Sequence, residues 1–341
     1  MTQSYKIALN FEDGVTRVIQ CDADEKVVEA AFRQKVNLPM DCRDGVCGTC
    51  KCKAEFGVYK HDLYLEEAMT ENEAAQGYVL TCQMMPRSDC AIAIPMSSMA
   101  CKTGAQQTGA VLEGVDRIST TAFRLRITLD KPIDFLPGQY ANIAVPGANL
   151  TRAYSYTSAS GNQSASFLIR YVSGGIMSSY LDKMAKLGDR LSLTGPLGSF
   201  YLRDIVRPQL WIAGGTGLAP FLSMLETMAA QRLSVHPIHL VYAVTRKDDL
   251  VELDRIRDLQ AALSNFRLTT IVSDPASAHE RMGFATDHLT VGDLWSGNVD
   301  VYLCGPPPMV EAVRGHISKL GIVPASFRFE KFNPSDNTEA A

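Results

Sequence analysis

The sequence predicts three domains in series: a small α+β domain, an antiparallel β-barrel, and a doubly wound α/β domain. Three observations predict it. Cysteines crowd into residues 42–52. Short alternating strands separated by turn residues fill the region after residue 109. From Pro208 onward, buried strands alternate with helices around a glycine-rich turn. A chain of 341 residues holds two or three domains at the usual ~100–200 residues each.

Composition excludes several classes. The chain is 46% hydrophobic with a net charge of −4, which suits ordinary globular cores and gives no footing for nucleic-acid binding. No apolar run approaches the ~18 residues that a membrane span requires, and the N-terminus lacks a basic-then-apolar leader. A cytoplasmic location is expected, where nine cysteines stay reduced.

In the first domain, Tyr5, Ile7, Leu9 and Phe11 alternate with polar residues as in a half-buried strand. Asp13-Gly14 turns the chain into a returning strand over 15–20. Asp24 is expected to cap a helix whose inner face is Val27, Val28, Ala31 and Phe32, stopped by Pro39. Then comes Asp41-Cys42-Arg43-Asp44-Gly45-Val46-Cys47-Gly48-Thr49-Cys50-Lys51-Cys52.

Cys42, Cys47 and Cys50 stand in the spacing C-x4-C-x2-C, and Cys82 follows at a distance. That is the ligand spacing of a [2Fe–2S] cluster. The cluster and its thiolates are negative, so backbone N–H groups must turn inward, and Gly45 and Gly48 supply the positive φ this needs. A zinc site would favour two close pairs of ligands. A disulfide framework suits a short secreted chain with an even cysteine count. Cys52, Cys21, Cys90 and Cys101 read as small buried apolar side chains. This domain is expected over residues 1–98, with a linker over 99–108.

The barrel is expected over 109–206. Phe123, Leu125, Ile127 and Leu129 form one strand face, and Pro137-Gly138-Gln139-Tyr140 turns into a strand over 141–145. Gly174-Gly175 leads into a helix through Ile176, Met177 and Ser178, whose amino end is a natural anion site. The third domain is expected over 207–333. Its strands cover 210–213, 238–244, 268–272 and 299–303, with helices over 221–230, 251–263 and 309–320. The glycine turn Gly214-Gly215-Thr216-Gly217-Leu218-Ala219-Pro220 lies between strand and helix, as in a nucleotide phosphate site, although it is not GxGxxG. Residues 334–341 form a polar tail expected to be disordered.

The hairpin, helix and cysteine loop resemble the β-grasp fold of plant-type ferredoxins. Arg152-Ala153-Tyr154-Ser155, the turn at 214–220 and Cys304-Gly305-Pro306-Pro307-Pro308-Met309 together resemble the ferredoxin–NADP reductase superfamily. From Tyr5 to Phe332 the chain resembles the reductase component of benzoate- and anthranilate-type aromatic-ring dioxygenases.

The resemblance implies FAD, NADH and the cluster as cofactors, and electron flow in the order NADH, FAD, [2Fe–2S], terminal Rieske oxygenase. It implies that Arg152 pairs with the FAD pyrophosphate, that Tyr154 lies on the flavin ring, and that Ser155 bonds its polar edge. Gly175, Ile176, Met177 and Ser178 would offer amides to the pyrophosphate. Gly214, Gly215, Thr216, Gly217 and Pro220 would meet the NAD phosphates, with Cys304, Gly305 and Pro306 beside the nicotinamide. Phe332, at the end of Phe327-Arg328-Phe329-Glu330-Lys331-Phe332, would cover the other flavin face. Tyr154, Ser155, Cys304 and Phe332 are thus placed at the reacting centre. After the strand ending at Val244, Arg246 suits a 2′-phosphate while Asp248 and Asp249 suit a free ribose; the resemblance favours NADH. The other reading is the reductase of a di-iron monooxygenase of the phenol- or methane-hydroxylating kind.

Overall fold

The structure, a computed structural model, describes residues 3–40, 45–46, 48–66, 68–101, 105–231 and 236–332. Cys42, Cys47 and the tail after Phe332 lie outside the described residues. Two compact units are present: the chain up to Gln106 together with Pro196–Ser199, and the remainder from Gln107 onward. Among the described residues no helix is long and apolar enough to cross a membrane.

The first unit contains β1 (Ser4–Phe11), β2 (Thr16–Asp22), α1 (Val27–Arg33), β3 (Lys51–Phe56), β4 (Tyr59–His61), α2 (Glu71–Ala75), β5 (Tyr78–Leu80), β6 (Met84–Pro86) and β7 (Cys90–Ile94). Its main sheet runs β2-β1-β7-β3-β5. β1 is antiparallel to β2 but parallel to β7, which is the β-grasp arrangement. Ile7, Leu9 and Phe11 are buried, as their alternation requires.

Three local expectations are corrected here. The N-cap of α1 is Lys26, with no side-chain cap bond, so Asp24 is not the cap. The buried face is Val27, Val28, Ala30 and Ala31, while Phe32 is exposed. Residues 27, 28, 30 and 31 fall on one side of a helix turning 3.6 residues per turn, and Phe32 does not. Pro39 does not stop the helix either. Lys35 adopts a φ of 62°, and Val36 N–H donates to Ala31 O (2.8 Å) while Lys35 N–H donates to Phe32 O (3.0 Å). That is a Schellman closure with lysine in the usual glycine place. Within the stretch expected as a linker, residues 99–108, the described residues are held at both ends. Ala100 and Cys101 are buried, Cys101 O accepts from Asn37 N–H (3.0 Å), and the next strand already begins at Gln106.

The second unit begins with a barrel: β8 (Gln106–Arg117), β9 (Ala122–Leu129), β10 (Tyr140–Ala144), β11 (Thr151–Ser155), β12 (Ser164–Arg170), α3 (Ile176–Lys183) and β13 (Arg190–Leu197). The strand order is β11-β10-β13-β8-β9-β12, and an antiparallel bridge between Tyr156 and Phe167 links the two ends. Inside, Phe135 stacks on Tyr156 with ring centroids 3.9 Å apart.

The α/β part follows with β14 (Gln209–Gly214), α4 (Ala219–Gln231), β15 (Ile238–Val244), α5 (Leu253–Ala262), β16 (Phe266–Val272), α6 (Ala285–His288), β17 (Asp300–Gly305), α7 (Pro307–Lys319) and β18 (Ser326–Lys331). All five strands are parallel, in the order β16-β15-β14-β17-β18. The order reverses between β14 and β17, and ligands bind at such a reversal, beyond the carboxyl ends of the strands. β14 is buried throughout. Trp211 and Ala213 feed one core with Phe221, while Leu210 and Ile212 feed another with Leu303 and Val310. Trp211 stacks on Phe221 with centroids 5.5 Å apart.

Phe221 carries this packing, so Phe221→Ala should cost about 3–5 kcal/mol. Thermal unfolding followed by circular dichroism should show a lowered midpoint for the second unit. An unchanged midpoint would contradict the placement of Phe221 in the core.

Candidate functional site

In the first unit, Cys50 and Cys82 are both buried, and their sulfurs lie 3.1 Å apart. β3 and β5 bring them together, since Thr81 N–H donates to Cys50 O (3.1 Å). Gly45 and Gly48 have φ of 73° and 75°. A Cβ on Gly45 would stand 2.8 Å from Tyr64 Cβ, and one on Gly48 would stand 3.0 Å from Ala68 O. Both glycines are therefore required twice, for backbone conformation and for space. Converging thiols beside a left-handed glycine loop fit a [2Fe–2S] cluster. Cys52 is buried, and burial pushes its thiol pKa up, as expected of an inert core cysteine.

Sequence reasoning missed Gln83. Its side chain is buried, and Nε2 lies 3.6 Å from Cys82 Sγ as a donor. Lys26 Nζ in turn donates to Gln83 Oε1 (3.0 Å). Donors to ligand sulfur are one of the protein's means of setting a cluster's potential. The signal was adjacency: a polar residue directly after a ligand cysteine.

In the second unit, β11 carries Arg152, Tyr154 and Ser155. Arg152 Nη1 donates to Thr151 O (2.9 Å). Tyr154 packs against the barrel core, and burial holds its phenol well above the ordinary range, hence neutral. Ser155 is buried, and its Oγ donates to Glu330 Oε2 (3.4 Å). Cys304 Sγ approaches the same oxygen at 3.7 Å. Ser155 and Cys304, far apart in sequence, thus converge on one buried carboxylate. The sequence signal for Glu330 is an acid flanked by three phenylalanines. Phe332 N–H donates to Gly305 O (2.9 Å), and its ring packs on the core that holds Trp211.

Gly175 is the N-cap of α3 with no side-chain cap bond. The amides of Ile176, Met177 and Ser178 have no intrahelical acceptor by geometry. Ser178 Oγ accepts from Val172 N–H (2.9 Å) and donates to Arg170 O (3.5 Å), so its hydroxyl is engaged within the protein.

The turn after β14 is a short 3-10 segment, Gly215–Leu218, ahead of α4. Here the glycines differ in purpose. A Cβ on Gly217 would lie 2.3 Å from Cys304 O, and one on Gly214 would lie 2.4 Å from Met309 Sδ and 3.0 Å from Pro306 Cδ. Their smallness lets the ends of β14 and β17 pack together. Gly215, with φ 56°, faces open space and leaves the side on which a phosphate can approach. Pro220 lies in the first turn of α4 and is buried. Beyond β15, Asp249 accepts from Thr121 Oγ1 and from Arg246 N–H (3.2 Å), so its carboxylate is engaged within the protein, while the Arg246 side chain is exposed.

Three domain families match the chain in the expected order. They are the 2Fe-2S iron-sulfur cluster binding domain over 10–87, the oxidoreductase FAD-binding domain over 110–201 and the oxidoreductase NAD-binding domain over 211–315. The toluate 1,2-dioxygenase electron transfer component of Pseudomonas putida is 51% identical, covering 97% of this chain and 99% of that protein. The 2-halobenzoate 1,2-dioxygenase electron transfer component of Burkholderia cepacia is 46% identical, covering 97% and 98%. Among solved structures, a cytochrome P450 reductase of Amycolatopsis superposes with a TM-score of 0.72 at 30% identity, covering 96% of this chain and 99% of that one. The chain therefore belongs to the family of 1,2-dioxygenase electron transfer components, oxidoreductases that hold a [2Fe–2S] cluster, FAD and NAD in one polypeptide.

Proposed function

We propose that this chain takes electrons from NADH and delivers them to a separate Rieske non-haem iron oxygenase that dihydroxylates an aromatic carboxylate of the benzoate or anthranilate type. The observation that carries the reading is the end-to-end match to components named for toluate and halobenzoate 1,2-dioxygenases. A di-iron monooxygenase partner is not favoured by these relatives. When bound, FAD would supply the conversion between a two-electron hydride donor and a one-electron cluster.

The chain's own residues divide the work. Cys42, Cys47, Cys50 and Cys82 hold the cluster. Arg152 and the amides of 175–178 meet the FAD diphosphate, a charge-assisted contact suited to a fixed guanidinium. Tyr154 and Phe332 cover the flavin ring and Ser155 bonds its edge. Gly215 and Thr216 face the NAD phosphates, and Cys304 stands by the nicotinamide with Gly305 and Pro306. Glu330, within reach of both Ser155 Oγ and Cys304 Sγ, holds these two groups in place.

Purified chain with NADH and benzoate should form no hydroxylated product. Adding a Rieske oxygenase should restore turnover at a rate that falls with salt, because charged rims mainly govern association. Product from the chain alone would refute the assignment.

Cys50→Ser should abolish the cluster absorbance and collapse cytochrome c reduction. FAD binding and NADH-driven ferricyanide reduction should persist, since the flavin is held in the other unit. Retention of normal cluster absorbance would remove Cys50 from the ligand set.

Charged hydrogen bonds contribute about 1.5–3 kcal/mol, so Arg152→Ala should weaken FAD binding about ten- to a hundredfold. Titration of the apoprotein with FAD, followed by flavin fluorescence, measures it. Wild-type affinity would place the pyrophosphate elsewhere.

A further inference from the structure

Between the barrel and the parallel sheet lies a recess of about 300 Å³ lined by Arg124, Arg126, Ser166, Glu252 and Arg255. None of these residues belongs to the flavin or coenzyme segments described above. Glu252 is only 8% exposed, and as N-cap of α5 it adopts φ 62° and ψ 14°, the left-handed region. A residue with a Cβ is kept there only when its surroundings over-determine it.

Those surroundings come from both domains. Arg124 Nε, on β9 of the barrel, donates to Glu252 Oε1 (2.7 Å). Arg255 Nη1, on α5, lies 3.7 Å from Glu252 Oε2. Arg255 also donates to Glu226 Oε1 (2.8 Å) and, across the seam, to Thr157 O (2.6 Å). Ser223 Oγ on α4 donates to Ser158 O (2.8 Å), and Thr121 Oγ1 of the barrel donates to Asp249. Thr157 and Ser158 directly continue the segment that presents Tyr154 and Ser155. The carbonyls held by the sheet domain therefore belong to the strand end whose Ser155 reaches Glu330.

A buried carboxylate with two guanidinium partners adds little net stability compared with apolar packing of the same volume, and its best-attested use is to fix register. We propose that Arg124, Glu252 and Arg255 position the NAD-binding sheet against the flavin barrel, keeping Ser155 in line with Glu330 and Cys304. Glu252 is then a positioning residue for hydride transfer and touches no coenzyme itself.

The test is made on the full holoprotein. Arg124→Gln removes the barrel's ion pair to Glu252, while Glu252 keeps Arg255 and Arg255 keeps its bond to Thr157 O. Anaerobic stopped-flow reduction of FAD by NADH should slow about ten- to a hundredfold at saturating NADH, the scale of a misplacement near 1 Å. KM for NADH, FAD content and cluster absorbance should stay unchanged, and the NADH–FAD charge-transfer absorbance should weaken. Without added coenzyme, amide hydrogen exchange should rise together in residues 155–158 and 249–256. Arg124→Lys should recover most of the rate. A wild-type limiting rate in Arg124→Gln, whether or not its melting temperature drops, overturns the proposal, and so does a raised KM with an unchanged limiting rate. Should Arg124→Gln yield no folded protein, Glu252→Gln decides by the same rate and exchange criteria.

Discussion

The second unit depends on one close approach, that of the carboxyl ends of β14 and β17. Gly217 has a virtual Cβ position 2.3 Å from Cys304 O, and Gly305 has one 3.3 Å from Gly214 Cα. No side chain fits between the two strands there. Because the strands pair with Ala213 opposite Cys304, and Cys304 opposite Glu330 on the next strand, one register sets three positions in a row. A slip by one residue would turn every side chain to the other face of the sheet. It would carry Cys304 and Glu330 away from Ser155, and bury polar groups in the two apolar cores.

Buried carboxylates mark both ends of this sheet. Asp300, at the amino end, bonds Arg207 (2.9 Å), Gln209 (3.1 Å) and Ser326 (2.7 Å). Burial pushes its pKa up, but Ser326, Gln209 and Arg207 together hold it below the ordinary carboxylate value. It ties β14, β17 and β18 at their starts. Glu330, at the carboxyl end, meets a hydroxyl and a thiol from two different chain segments. The amino-end carboxylate fixes the strands, and the carboxyl-end one lies at the ligand edge of the same sheet.

What the sequence revealed is what depends on neighbours in the chain. The C-x4-C-x2-C spacing, the strand, glycine turn and helix at 209–231, and the alternation in β1 and β9 are set by residues a few positions apart. The contacts that went unseen span great distances: Glu330 meets Ser155 at a separation of 175 residues, and Arg124 meets Glu252 at 128. Local signals also misled where tertiary structure decided. Asp24 is a good cap type, but its helix begins after Lys26. Cys101 sits in a polar stretch that reads as linker, and a core takes it up all the same. The glycine turn between strand and helix was legible, yet its division into two packing glycines and one open glycine needed the partner strand.

The seam between barrel and sheet combines two kinds of contact that do different things. Its apolar centre is Phe200, edge-on to Phe221 and Tyr302 at 5.8 Å and 5.5 Å, with Ala122 and Leu168 joining the same core. Apolar burial is non-directional; it holds the two bodies together but tolerates small rotations. The polar ties lie around this centre, with Ser155 and Glu330 at the carboxyl end of the sheet and Arg124, Glu252 and Arg255 at the recess. Hydrogen bonds and ion pairs weaken steeply when misaligned, so they select an angle that the hydrophobic contact leaves free. Proximity in this unit is therefore set by Phe200 and its neighbours, and orientation by the buried carboxylates.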